Sequence, residues 1–144
     1  MMLLHASCVA IAHKAVLIAG SAGAGKSDLA LRLIDAGAQL VSDDQTQLHV
    51  EKDQLIASPP PAITGLFEVR HVGLMKLPFI QQAVVALYIE LTASSQELER
   101  LPDNDKILLL DHAVPRLRLP SFAASTPAKI RAFLSYPLVT DLHD

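Results

Sequence analysis

Apolar residues near the start of the chain come in strand-length runs. Leu3 to Ile11 and Ala15 to Ala19 are the first two, and His13-Lys14 between them predicts a hairpin turn. After a glycine-rich stretch the period changes. Leu29, Leu33 and Ala36, with Ala30 and Ile34 alongside, recur at helical spacing, while Asp28, Arg32 and Asp35 take the other side. Gly37 closes that helix at the position where a left-handed backbone costs glycine little. Short strands are predicted next at Gln39 to Ser42, Thr46 to Val50 and Gln54 to Ser58, the last two joined by a Lys52-Asp53 turn. Pro59-Pro60-Pro61 has too few backbone donors for a ladder and predicts a surface loop. Strands resume at Leu66 to Val69, Val84 to Leu91, Lys106 to Leu110 and Arg116 to Leu119. Ser94-Ser95-Gln96-Glu97 fits a capping box for a short helix that Pro102 ends. Thr126-Pro127 supplies a cap and then a first-position proline for a last helix that stops before Pro137. The pattern is that of one α/β domain over residues 1–144 with a mixed sheet.

Composition narrows the function classes. The 144 residues are 51% apolar, enough for one buried core and inconsistent with a disordered chain. Twelve basic against fifteen acidic residues leave a net charge of −3, which argues against a nucleic-acid partner. Aromatics are 4% and tryptophan is absent, so an extended stacking platform is not expected. Cys8 is the single cysteine and cannot pair internally, which points to a reducing compartment. The longest apolar run, Ala83 to Ile89, falls far short of the roughly 18 residues that span a bilayer. No basic segment precedes Leu3-Leu4 to make a secretory signal. A cytoplasmic protein without a membrane partner is the expectation.

Gly20-Ser21-Ala22-Gly23-Ala24-Gly25-Lys26-Ser27 is a complete G-x-x-x-x-G-K-[ST] loop, the Walker A pattern of P-loop proteins. A chance match at this composition is on the order of one in a thousand. An apolar strand enters it and an amphipathic helix leaves it, the context the motif requires. Glycines let successive N–H groups curl around an anion, and the helix N-terminus adds partial positive charge. Lys26 then bridges the terminal phosphates of a nucleotide, and Ser27 offers its hydroxyl to Mg²⁺.

Asp43-Asp44 ends the strand after that helix, so both carboxylates can face the phosphate site. One can hold the water shell of a metal and the other can take a proton from an attacking hydroxyl. Paired aspartates are also common turn formers, and the residues alone do not separate the two readings.

At this point the chain resembles the catalytic domain of HPr kinase/phosphorylase. His5 lies fifteen positions before Gly20, as that family's active-site histidine precedes its loop. Leu40-Val41-Ser42-Asp43-Asp44 is similar to the family's L-[IV]-A-D-D. Leu66-Phe67-Glu68-Val69-Arg70 with Gly73 is similar to its L-x-E-I-R-G-x-G signature. Glu99-Arg100-Leu101 falls where the family has D-R-L, and Val114-Pro115-Arg116-Leu117 resembles its V-P-K-I segment. The resemblance implies a P-loop kinase domain of the HPr kinase and phosphoenolpyruvate carboxykinase-like type. It implies an ATP- and Mg²⁺-dependent protein serine kinase acting on an HPr-like phosphocarrier of a bacterial phosphotransferase system. Lys26 then contacts the transferring phosphates, Ser27 and Glu68 hold Mg²⁺, and Asp44 is the base with His5 beside it. Arg100 stabilises charge, while Asp43 and Arg70 are accessory. The resemblance also implies a short form without the family's N-terminal domain, in a family that assembles into hexamers.

Bland readings stand beside these roles. His5 on an apolar strand is commonly a hydrogen-bonded core histidine. Glu68 and Arg70, two apart on one strand face, form at most an exposed ion pair worth about 0–1 kcal/mol. Arg100 is a solvated charge. His49, His71 and His112 show no metal-ligand spacing, and Cys8 is a small buried hydrophobe. His71 stands where the signature has glycine, so a different backbone turn is expected near Glu68. Ser121-Phe122-Ala123-Ala124-Ser125 replaces the family's glycine-arginine-asparagine stretch, which serves the reverse reaction, so phosphorylase activity is expected to be weak or absent. These departures keep open a catalytically silent, nucleotide-sensing module that docks to phosphotransferase components. A small-molecule kinase is a third reading, weakened because the arginines are scattered singly rather than gathered in a lid.

Overall fold

The computed structural model describes residues 1–94 and 98–139. Its first strand is broken. β1 (Met2–Leu4) and β2 (Ala6–Ile11) are separated at His5, where the predicted run was continuous. The break has a topological cause: β1 pairs antiparallel with β5 (Thr46–Glu51), whereas β2 pairs antiparallel with β3 (Lys14–Ala19) and β4 (Gln39–Ser42). Consecutive residues thus serve two distant parts of one sheet, and Thr46 Oγ1 donates to the Ala6 carbonyl across the corner at 2.8 Å. The tight turn between β2 and β3 falls at Ala12-His13, both with positive φ, one residue earlier than expected.

The large sheet runs β1-β5-β6-β9-β3-β2-β4, with β6 at Gln54–Ser58 and β9 at Ala83–Thr92. β9 is its spine. It pairs parallel with β3 along one side, and on the other with β6 near its start and, in parallel, with β11 (His112–Pro120) near its end. β10 (Asp105–Leu109) forms a hairpin with β11. The result is a mixed sheet curled on itself, and both its faces are covered. Cys8, Leu17, Val41 and Leu48 pack on the inner face; Val9, Val16, Ile18, Leu29, Leu33 and Ile89 pack on the outer one. Two covered faces explain why β2 and β3 read as near-continuous apolar runs instead of alternating ones. Cys8 is fully buried, and burial pushes its thiol above the ordinary range, so it packs as a hydrophobe.

α1 (Lys26–Asp35) lies on the outer face with Leu29, Ala30 and Leu33 buried. Ala36, expected on the buried side, is the exposed C-cap residue. Gly37, at φ 110°, completes a Schellman closure: its N–H goes to the Ile34 carbonyl and that of Ala38 to the Leu33 carbonyl, both at 2.9 Å. α2 (Thr126–Ser135) packs Ile130 beside α1, and Arg131 donates to the Ala36 carbonyl at the negative end of that helix. The cap of α2 differs from expectation. Ser125 is the N-cap without a side-chain bond, and the Thr126 hydroxyl turns back to the Pro120 carbonyl at 2.6 Å.

β7 (Leu66–Val69) and β8 (Gly73–Lys76) form a separate two-stranded hairpin. β8 is exposed throughout, so it offered no buried periodicity to read. The three prolines enter a 3-10 turn at Pro61–Ile63, and Pro59 is buried rather than on the surface. Ser95-Gln96-Glu97 of the predicted capping box lie outside the described residues, and residues 98–104 carry no helix. Among the described residues no helix is long and apolar enough to cross a membrane.

Candidate functional site

Three parallel strands end on the same edge of the sheet. β3 runs into the glycine loop, β9 ends at Thr92, and β11 ends at Pro120. In an open α/β sheet the crevice beyond such carboxyl ends is where ligands bind. The loop Gly20–Ser27 joins β3 to α1, as its strand-loop-helix spacing predicts. Gly23 and Gly25 have φ of 78° and 97°, values glycine adopts without the side-chain clash that other residues meet. The Lys26 ammonium folds back on the loop, donating to the carbonyls of Gly20 at 3.0 Å and Ser21 at 3.2 Å.

Asp43 is the hub of the cluster. Its Oδ1 accepts from the Ser27 hydroxyl at 2.7 Å and from the Ser7 hydroxyl at 3.1 Å. Its Oδ2 accepts from the backbone N–H of Glu68 at 3.2 Å, which ties β7 to the loop. Ser7 also accepts the backbone N–H of Asp44 at 3.0 Å, so one buried hydroxyl positions both aspartates. Asp44 sits at φ 66°, exposed, and its carboxylate has no hydrogen-bond partner among the described residues. The pair is a turn, as the bland reading had it, and the hydrogen bond from Ser27 to Asp43 sets that turn beside the loop.

Of the other predicted residues, Glu68 is tied to this hub through its backbone N–H. His5, exposed at the strand corner, lines an open cleft with Gly20, Ser21, Tyr88 and Glu90. Burial first, and then the charge of Glu90, raise the Tyr88 hydroxyl above its ordinary range. The Glu68 side chain is exposed, and only its backbone contacts Asp43. Arg70 lies in the turn after β7, so it does not share a strand face with Glu68 as expected. His71 takes φ 69° in that turn, the left-handed backbone for which glycine is the low-strain choice. Arg100 is exposed on the irregular chain that follows residue 97 and makes no hydrogen bond or ion pair with the loop or Asp43 among the described residues.

The hydroxyl of Ser27 and the carboxylates of Asp43 and Glu68 are hard oxygen donors, the chemistry Mg²⁺ prefers. No group of three or more His, Cys, Asp or Glu is gathered as a metal cage among the described residues.

Sequence reasoning missed Ser7, Arg32 and Phe122. The Arg32 guanidinium pairs with Asp28 at 3.0 Å, donates to the Ala123 carbonyl at 3.3 Å and also donates to the Ser121 carbonyl. It thereby straps the chain after β11 against α1. Phe122 packs on Gly25: a Cβ added there would lie 2.9 Å from the ring. Ser7 gave one signal, a serine buried in an apolar strand two residues after His5; Phe122 gave none.

Known proteins agree with this architecture. A family model described as the HPr Serine kinase C-terminal domain matches residues 1–132. HPr kinase/phosphorylase of Geobacillus thermodenitrificans (strain NG80-2) is 32% identical over 127 residues, covering 81% of this chain and 41% of that protein. The counterpart from Bacillus pumilus (strain SAFR-032) is 29% identical over 128 residues. The chain thus spans about two fifths of the length of these curated relatives. The solved structure of the Hpr(Ser) kinase/phosphatase from Coxiella burnetii superposes with a TM-score of 0.81 at 30% identity, covering 93% of this chain and 88% of that one. With the curled mixed sheet shared and the family model matched from the first strand into the last helix, the chain belongs to the HPr serine kinase C-terminal domain family.

Proposed function

We propose that this chain is an ATP- and Mg²⁺-dependent protein kinase that phosphorylates a serine of an HPr-like phosphocarrier. The observation that carries the reading is the hydrogen bond from Ser27, at the start of α1, to Asp43, with the exposed carboxylate of Asp44 one residue on. The names of the relatives, HPr kinase/phosphorylase and Hpr(Ser) kinase/phosphatase, supply the substrate class.

The chemistry follows from the residues. Backbone N–H groups of the glycine loop and the N-terminus of α1 cradle the β- and γ-phosphates. Lys26 exchanges its two carbonyl contacts for phosphate oxygens, placing positive charge where the equatorial oxygens gather negative charge. Ser27, Asp43 and Glu68 would hold Mg²⁺, which supplies further charge neutralisation on the phosphates. Asp44 accepts the proton of the substrate serine as its oxygen bonds to the γ-phosphorus and the bond to the leaving ADP breaks. His5, on the cleft beside Gly20, orients the incoming hydroxyl. Arg100 would add positive charge beside the transferring phosphoryl group.

His71 itself holds a left-handed backbone, the conformation in which glycine has least strain, so the exchange of glycine for histidine does not by itself argue for a silent module. The test is incubation of the full chain with labelled ATP, Mg²⁺ and HPr-like phosphocarriers, beside an Asp44→Asn control. Serine labelling by the wild type and its loss in the variant are expected. Nucleotide binding and partner binding without labelling would instead support the nucleotide-sensing module.

A further inference from the structure

We infer that Phe122 is the base-stacking residue of the nucleotide site. The inference rests on the nucleotide reading above and extends it to the other end of the ligand.

The sheet order gives the reason. β4, which delivers Asp43 and Asp44, lies two strands from the loop-bearing β3, with β2 between. β11 lies two strands away on the opposite side, with β9 between. A nucleotide whose terminal phosphate faces the aspartates must send its nucleoside toward the flank where β11 ends. The residues there are Ser121 and Phe122.

Phe122 is 68% exposed, yet it is not loose. One edge of its ring rests on Gly25, and the backbone on either side is fixed by the Arg32 guanidinium through the Ser121 and Ala123 carbonyls. Ser121 is held again through its N–H and hydroxyl, which donate to the Thr92 carbonyl at 3.1 and 3.2 Å. Scattered exposed apolar side chains need no explanation, but a ring strapped in place beside an anion cradle with most of its surface open is a different case. An aromatic face fixed in advance binds a base without an ordering cost, and stacking tolerates any purine. The low aromatic content argues against a platform of several rings; one ring suffices for one base.

The test compares Mg·ATP with Mg·tripolyphosphate by calorimetry on the full chain, wild type beside Phe122→Ala and Phe122→Trp. Stacking predicts that Phe122→Ala weakens ATP by roughly tenfold or more and leaves tripolyphosphate within about twofold. The chain has no tryptophan, so Phe122→Trp gives a single indole whose emission should be quenched by ATP and not by tripolyphosphate. Equal loss of both ligands in Phe122→Ala, or an indole indifferent to ATP, overturns the stacking role and leaves the nucleotide reading intact. A wild type that binds neither ligand overturns both.

Discussion

Ser27 and Ser7 donate to the same carboxylate oxygen of Asp43, at 2.7 and 3.1 Å, from opposite elements of the fold. Asp43 therefore joins α1 to β2 as well as serving the site. Asp43→Ala leaves the fully buried Ser7 hydroxyl without its acceptor and removes charge-assisted bonds, so a loss of about 1.5–3 kcal/mol is expected in chemical denaturation. Asp44→Asn separates chemistry from folding. Asparagine tolerates the left-handed backbone at φ 66°, and stability should change by no more than about 0.5 kcal/mol. Phosphoryl transfer should fall about 10²–10⁴-fold, as expected for loss of a general base.

Lys26→Ala leaves the carbonyls of Gly20 and Ser21 to water on an exposed loop, at little cost in stability. Transfer should drop by about 10²–10³-fold with the fold preserved by circular dichroism, the effect of removing a preorganised charge.

Gly25→Ala places a methyl 2.9 Å from the Phe122 ring at a φ of 97°. Thermal denaturation should report a loss of about 1–3 kcal/mol. Combining it with Phe122→Ala removes the collision and leaves the backbone strain, so recovery should be partial. Full recovery would show that φ carries no cost here.

His112 bridges two hairpin turns. Its Nδ1 faces the Leu110 carbonyl at 2.9 Å and its Nε2 the Asp53 carbonyl at 3.0 Å, so only the doubly protonated ring donates to both. These two contacts, with smaller help from the charges of Asp53 and Asp111, raise its pKa above the ordinary 6.5. A raised folded-state value means the stabilisation is complete below pH 6.5 and is lost as pH rises through the folded value. Denaturation midpoints of wild type and His112→Ala should therefore draw together as the pH climbs from 6.5 through the folded-state value.

How far the chain could be read depended on what each residue signals locally. The loop, α1 with its Gly37 stop, and most strands are local patterns, and they were legible. The corner at His5 was not, because a change of pairing partner leaves no mark in an apolar run. The i, i+2 spacing alone pairs Arg70 with Glu68 on one strand face, although the strand stops at Val69 and the positive φ of His71 puts Arg70 in the turn. The residues of the acidic cluster were visible, but their order of contact was not. Nothing local says that Asp43 would be the bound member and Asp44 the open one, since a serine on β2 makes that choice.

The corner at His5 has a further consequence. Since β1 answers to the β5 hairpin and β2 to the glycine-loop strand, the imidazole is carried on a joint whose two arms belong to different neighbourhoods. Loosening the β5 hairpin would shift that side chain while the loop itself held its shape, so under the proposed kinase reading such a protein would lose turnover before it lost its grip on nucleotide.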